Sequence, residues 1–200
     1  SGEADLIINI LDASNLHRNL FLTSQLLDMG VPVVCAVNMI DVAEREGIHV
    51  DCQVLSQRLG VPVVPVVASD NVGVPELCRT IAHKLEHPTV ATPMVRPDKD
   101  IDLAIDELQT QLQGKVDNPF WTAIRALECD IYSLQPLESD ARQKVAQLAS
   151  EQRAKLENAH GQPIDVLIAN CRYRSIDVLL RDALTTVSYT HLRAHETSTY

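Results

Sequence analysis

Three short apolar runs, Leu6–Leu11, Val31–Val37 and Val61–Val67, punctuate the first part of the chain. Each is rich in Val and Ile and nearly free of charge. Such runs suit strands buried on both faces of a parallel sheet. Between them the apolar spacing lengthens to that of a helix. Leu16, Leu20, Leu26 and Leu27 share one side of a predicted helix over Asn15–Met29, which Asp12 or Ser14 can cap and Gly30 stops. Asp51 starts a second helix that runs through Leu59 to Gly60. The phrases Gly30-Val31-Pro32-Val33-Val34 and Gly60-Val61-Pro62-Val63-Val64 repeat a helix stop followed by a strand start. This is the rhythm of consecutive βαβ units and predicts an α/β fold with a parallel sheet.

The pattern changes at His87–Pro97, where three prolines fall in eleven residues without a helical or strand period. That stretch reads as a linker, which gives an α/β unit over 1–87, a linker over 88–97 and a small all-helical domain over 98–187. Asp98 can cap the first helix of the second unit, with Ile101, Ile105, Leu108 and Leu112 on its apolar face. Asn118-Pro119 is a cap followed by Pro at the first helical position. A third helix spans Ser139 to His160 and stops at Gly161. A fourth starts at Pro163 and carries Leu167, Cys171 and Ile176 inward.

Ligands of doubly wound sheets bind beyond the carboxyl ends of the strands. Asn38-Met39-Ile40-Asp41 stands at the end of the second run, and Val67-Ala68-Ser69 at the end of the third. A carboxylate at Asp41 can accept from N1–H and the exocyclic amine of guanine, a donor pair that adenine does not offer on that edge. Asn38 would tie neighbouring loops together behind the base. The spacing alone is a weak signal, since Asn9-Ile10-Leu11-Asp12 fits it too, although Asn9 lies inside its run.

Asp5–Leu27, then VPVVCAVNMIDVAE, then LGVPVVPVVAS, resemble the cytoplasmic GTPase domain of the ferrous iron transport protein B (FeoB) family. Phe120–Ser133 and Ile168–Leu180 resemble the helical domain that follows it. The resemblance runs from about Gly2 to Thr186 and implies a partial P-loop-GTPase-type sheet. It makes Asn38-Met39-Ile40-Asp41 the guanine-specificity motif, with Met39 where most GTPases have Lys. It makes Val67, Ala68 and Ser69 the last nucleotide loop, where a backbone N–H meets the guanine O6. It further implies GTP or GDP as ligand, Mg²⁺ in the intact parent only, and a membrane transport domain in the same polypeptide. The parent would hydrolyse GTP and drive or gate Fe²⁺ uptake at the cytoplasmic face of the bacterial inner membrane. The helical domain would be a spacer and regulator of nucleotide affinity.

No G-x-x-x-x-G-K-[ST] occurs among the 200 residues. The family carries that phosphate loop upstream of the strand at Leu6, so this chain is expected to contribute base recognition and no catalytic residue, and to be inactive alone. Asp70-Asn71-Val72-Gly73 matches a D-x-x-G phosphate loop but follows the guanine motif instead of preceding it, and reads as chance. Two other classes stay open. One is a non-enzymatic α/β interaction module in which Asn38–Asp41 merely caps a turn. The other is an adenine-nucleotide enzyme of the doubly wound class.

The net charge of −10 argues against nucleic acid and anionic membrane surfaces as partners. Cys35, Cys52, Cys78, Cys129 and Cys171 form no C-x-x-C pair and are odd in number, so reduced and mostly buried thiols are expected. Trp121 reads as core of the helical domain. Arg172, Tyr173 and Arg174 read as a solvated helix face in preference to a basic contact for the sheet unit. Asp12 and Asn15 read as helix caps before nucleotide contacts. His191 and His195 have the i, i+4 spacing of zinc ligands. They fall, however, in a stretch from Ser188 that resembles a translated adapter sequence, so no metal site and no contribution to the fold is expected there.

Overall fold

The computed structural model describes residues 4–95 and 97–186. The stretch from Ser188 with its two histidines lies outside them. Among the described residues the strands are β1 (Ile7–Asp12), β2 (Val33–Asn38), β3 (Ile48–Val50), β4 (Val63–Pro65) and β5 (Leu184–Thr186). The helices are α1 (Leu16–Asp28), α2 (Ile40–Arg45), α3 (Cys52–Leu59), α4 (Val74–Glu86), α5 (Lys99–Leu112), α6 (Pro119–Leu127), α7 (Ser139–His160) and α8 (Ile164–Ala183).

Val33 to Val37 are all buried, which fits β2 as the central strand. It pairs in parallel with β1 on one side, with Asp12 opposite Asn38. It pairs in parallel with β4 on the other, with Val37 opposite Pro65. The strand order is β1-β2-β4, with α1 in the first crossover and α3 in the second. The expectation of burial on both faces fails at β1. Ile8 and Ile10 are 46% and 66% exposed. Among the described residues β1 is an edge strand, and α4 packs through Leu77 on Ala36, Val64 and Val66.

The other sheet face carries the main core of this half. Leu11, Leu16, Leu20, Val37, Leu55 and Leu59 meet there. Each such Leu contributes roughly 1.5–3 kcal/mol on burial. Ile176, Leu179, Leu180 and Ala183 of α8 belong to the same core. The first turns of α8 instead pack with α5, α6 and α7, where Ile164, Leu167, Ile168 and Cys171 join Ile101, Ile105, Leu108 and Leu127. One helix thus enters two cores. The chain beyond α8 returns to the first half, where β5 pairs antiparallel with β3, Val50 opposite Leu184. Neither three-residue strand is long enough to show an alternation that could be read from the chain.

Helix ends follow the expected caps in part. Asn118 Oδ1 accepts from the Trp121 N–H, and Gly161 closes α7 in the left-handed region. Asp98 makes no capping bond; it pairs with Arg174 of α8 at 2.8 Å. Trp121 is half-buried, with the Arg125 guanidinium 5.5 Å from its ring centroid, so it is not a core residue. Arg172 overturns the solvated reading of its helix face. It is fully buried and pairs with Asp28 of α1, while Tyr173 stacks on His17 and packs on Phe21. Cysteine burial is also less than expected: Cys35 and Cys171 are buried, Cys52 is half-buried, and Cys78 and Cys129 are exposed. All five are free. Cys78 lies on the outer face of α4, and Cys129 sits in a left-handed turn after α6.

Candidate functional site

The parallel register sets the site. β1, β2 and β4 run the same way, so their carboxyl ends, at Asp12, Asn38 and Pro65, face one side of the molecule. Asn38 is the last residue of β2, and its side chain accepts from the Ala68 N–H at 3.1 Å. This bond joins the two loops singled out from the sequence. Beside it the backbone continues the sheet, with Val66 N–H donating to the Val37 carbonyl at 2.8 Å.

Met39 then turns the chain. It sits in the left-handed region at φ 63°, ψ 31° and is 41% exposed. Its carbonyl accepts from Val42 and Ala43, which starts α2 without a side-chain cap. Asp41 falls in the first turn of α2, where a carboxylate is favoured by the free N–H groups of the helix end. Its carboxylate is accessible and bonded to Arg45 Nη2 at 2.7 Å.

The second loop is built by a tight turn. Val67 and Val72 exchange both backbone hydrogen bonds, at 3.0 and 3.1 Å, around Ala68–Asp70 and a left-handed Asn71. Gly73 follows at φ 76°. A Cβ at Gly73 would lie 2.1 Å from the Pro65 carbonyl oxygen, so only glycine fits. The glycine of the D-x-x-G string therefore serves the close packing of this loop on β4. Gly73 and Arg45 were both missed as site residues. The signals were a glycine closing a turn after a strand, and an Asp–Arg pair at i, i+4.

Asp12 and Asn15 stay with local structure. Asp12 accepts from the Ser14 N–H and from Asn15 Nδ2, both at 2.9 Å, and caps the short turn over Ala13–Asn15 that precedes α1. α1 itself begins at Leu16 without a side-chain cap. Burial pushes the Cys35 thiol up to about 12 and Cys52 to about 11, so neither is a ready nucleophile. Among the described residues no cluster of three or more His, Cys, Asp or Glu could hold a metal ion. With no phosphate-loop Lys or Ser/Thr in the sequence, the donor set does not fit Mg²⁺ and phosphates within this chain.

A parallel sheet with these two loops at its carboxyl ends, followed by a helical unit, has the architecture of a G domain with a helical extension. Residues 1–81 match the family model for ferrous iron transport protein B, and residues 98–185 match that for the FeoB cytosolic helical domain. The chain belongs to the FeoB family. It is 36% identical over 181 residues to the Fe(2+) transporter FeoB of Salmonella typhimurium, and 35% identical over 178 residues to that of Escherichia coli. Each match covers 88% of this chain and 22% of the relative, so the chain spans about a fifth of the length of these transporters. Among solved structures, the cytosolic domain of L. pneumophila FeoB is 32% identical with a TM-score of 0.72, covering 92% of this chain and 69% of that one. An S. thermophilus NFeoB mutant bound to GDP is 31% identical with a TM-score of 0.79, covering 92% and 71%. No helix among the described residues is long and apolar enough to cross a membrane.

Proposed function

We propose that this chain supplies guanine recognition to the GTP-binding region of a ferrous iron transporter. The observation that carries the reading is the Asn38–Ala68 hydrogen bond, which holds the Asp41 loop against the Ser69 loop at adjacent strand ends. In this reading Asp41 accepts from guanine N1–H and the C2 amine. Met39 lays its thioether on the base, a favourable contact with an aromatic ring. Ala68 gives its N–H to Asn38, so Ser69 supplies the next N–H of the loop to the guanine O6, with Val67 closing the turn against Val72. Similar S. thermophilus NFeoB mutants are bound to GDP and to GMPPNP, which supports guanine nucleotides as the ligand class.

The phosphates and Mg²⁺ would be held by the family's phosphate loop, which these residues do not contain. Such a parent would hydrolyse GTP and drive or gate Fe²⁺ passage through a membrane domain of the same polypeptide, with this region on the cytoplasmic face. Asp41→Asn tests the base assignment in a polypeptide that carries that loop ahead of residue 1. The amide can donate where the carboxylate only accepts, so preference should move from guanine toward xanthine nucleotides. A charge-assisted hydrogen bond contributes roughly 1.5–3 kcal/mol, so GTP binding should weaken by about tenfold or more. Unchanged GTP affinity would show that the base binds elsewhere.

A further inference from the structure

Arg45 grips Asp41 at two points. Its Nη2 donates to Asp41 Oδ2 at 2.7 Å, and its Nε donates to the Asp41 main-chain carbonyl at 3.1 Å. Side chain and backbone of one residue are therefore fixed by one guanidinium. The acid lies four positions ahead of the base on α2, the favoured order for such a pair. Among the described residues no second side chain contacts this carboxylate.

The grip does not consume the acceptor. Each carboxylate oxygen has two lone-pair sites, so a single bond to Oδ2 leaves one there and both on Oδ1. Guanine presents N1–H and its C2 amine side by side and needs both oxygens at once. An ungripped aspartate would have to give up side-chain freedom on binding. A carboxylate already fixed gives up less.

We propose that Arg45 is a positioning residue for guanine readout, holding the Asp41 carboxylate in the orientation that accepts both edge N–H groups. The proposal rests on the guanine reading above. Hypoxanthine isolates the effect, because it keeps N1–H but lacks the C2 amine and needs one acceptor. Removing Arg45 should therefore weaken guanine more than hypoxanthine. The pair is largely exposed, so the expected loss is roughly twofold.

The test is an NMR titration of residues 1–200 with GMP and with IMP, following the amides of Met39 and Ala68. Arg45→Ala should weaken GMP roughly twofold and leave IMP unchanged, so that selectivity between them falls. Arg45→Lys, which keeps one donor for Oδ2, should recover part of that selectivity. A purely structural role would weaken both ligands in parallel and lower the melting temperature, and that result overturns the proposal. Tighter GMP binding by Arg45→Ala would also overturn it, since Arg45 would then be a competitor for Asp41. Asp41→Asn is titrated beside it. If that variant, too, leaves GMP unchanged, or the wild-type chain shows no shift, the guanine site itself is misplaced.

Discussion

Arg172 of α8 and Asp28 of α1 form an ion pair at 1% and 0% exposure, and it joins the helical half of the chain to the sheet half. Arg172 Nη1 also donates to Ser24 Oγ at 3.2 Å. The Asp28 carbonyl accepts from Nδ2 of Asn118, the cap of α6, at 2.8 Å. Three helices thus meet at one carboxylate residue. Such a pair is costly to break from one side, because the surviving charge stays buried.

Arg172→Met should therefore lower unfolding free energy by about 3–5 kcal/mol. The double variant Arg172→Met/Asp28→Leu should recover most of that loss, since no charge is left behind. Denaturant midpoints of the three proteins give the answer. If the single variant were no less stable than the double, the pair would not join the two halves energetically.

Burial pushes the Asp28 carboxyl up from 3.8 to about 6, although Arg172 pulls it down. Between those values the folded chain holds a proton that the unfolded chain has lost. Stability from this group is complete below its unfolded value and is lost as the pH rises through about 6. Asp28→Asn should remove that slope. Urea midpoints of both proteins, measured from about pH 4 to about pH 7, should show the wild type falling relative to Asp28→Asn as the pH rises through about 6. Parallel curves would mean that Asp28 is ionised throughout.

Gly73→Ala should disturb the second loop and little else. The new methyl would collide with the Pro65 carbonyl, and φ 76° is unfavourable for alanine. A misplaced backbone of this kind costs about 1–3 kcal/mol. Amide exchange at Val67 and Val72, which bond each other across the turn, should accelerate. Unchanged protection there would show that the loop adapts without Gly73.

The 200-residue chain by itself should release no phosphate from GTP. Phosphoryl transfer depends on positioning the phosphates and neutralising their charge. Contacts to the base hold ground and transition states alike and leave the barrier where it was. A phosphate-release assay checks this beside the same chain with the family's front half fused ahead of residue 1. Turnover by the 200 residues, lost on Asp41→Asn, would reveal a phosphate site within them.

Much of this was legible in the chain. The three apolar runs became β1, β2 and β4, because short Val-rich segments between helix stops have few other places to go. Asn38 and Asp41 stand out at the end of an apolar run, whereas Met39 and the Val67–Ser69 loop were named through the resemblance to the FeoB family. What escaped were relationships between distant residues. Nothing local in Leu26-Leu27-Asp28 announces that Asp28 meets Arg172, since the pair is defined by packing of α8 on α1. β3 and β5 escaped because three-residue strands have no period to read. Ile8 and Ile10 looked buried because hydropathy cannot tell a central strand from an edge.

The return of α8 and β5 to the first half has a consequence for the order of synthesis. Leu11, Leu16 and Leu55 leave the ribosome well before Leu179, Leu180 and Ala183, which complete their core. β3 waits as long for β5. Contacts so far apart in sequence close slowly and leave apolar surface open meanwhile. The core of the nascent sheet half thus stays open until α8 has been made.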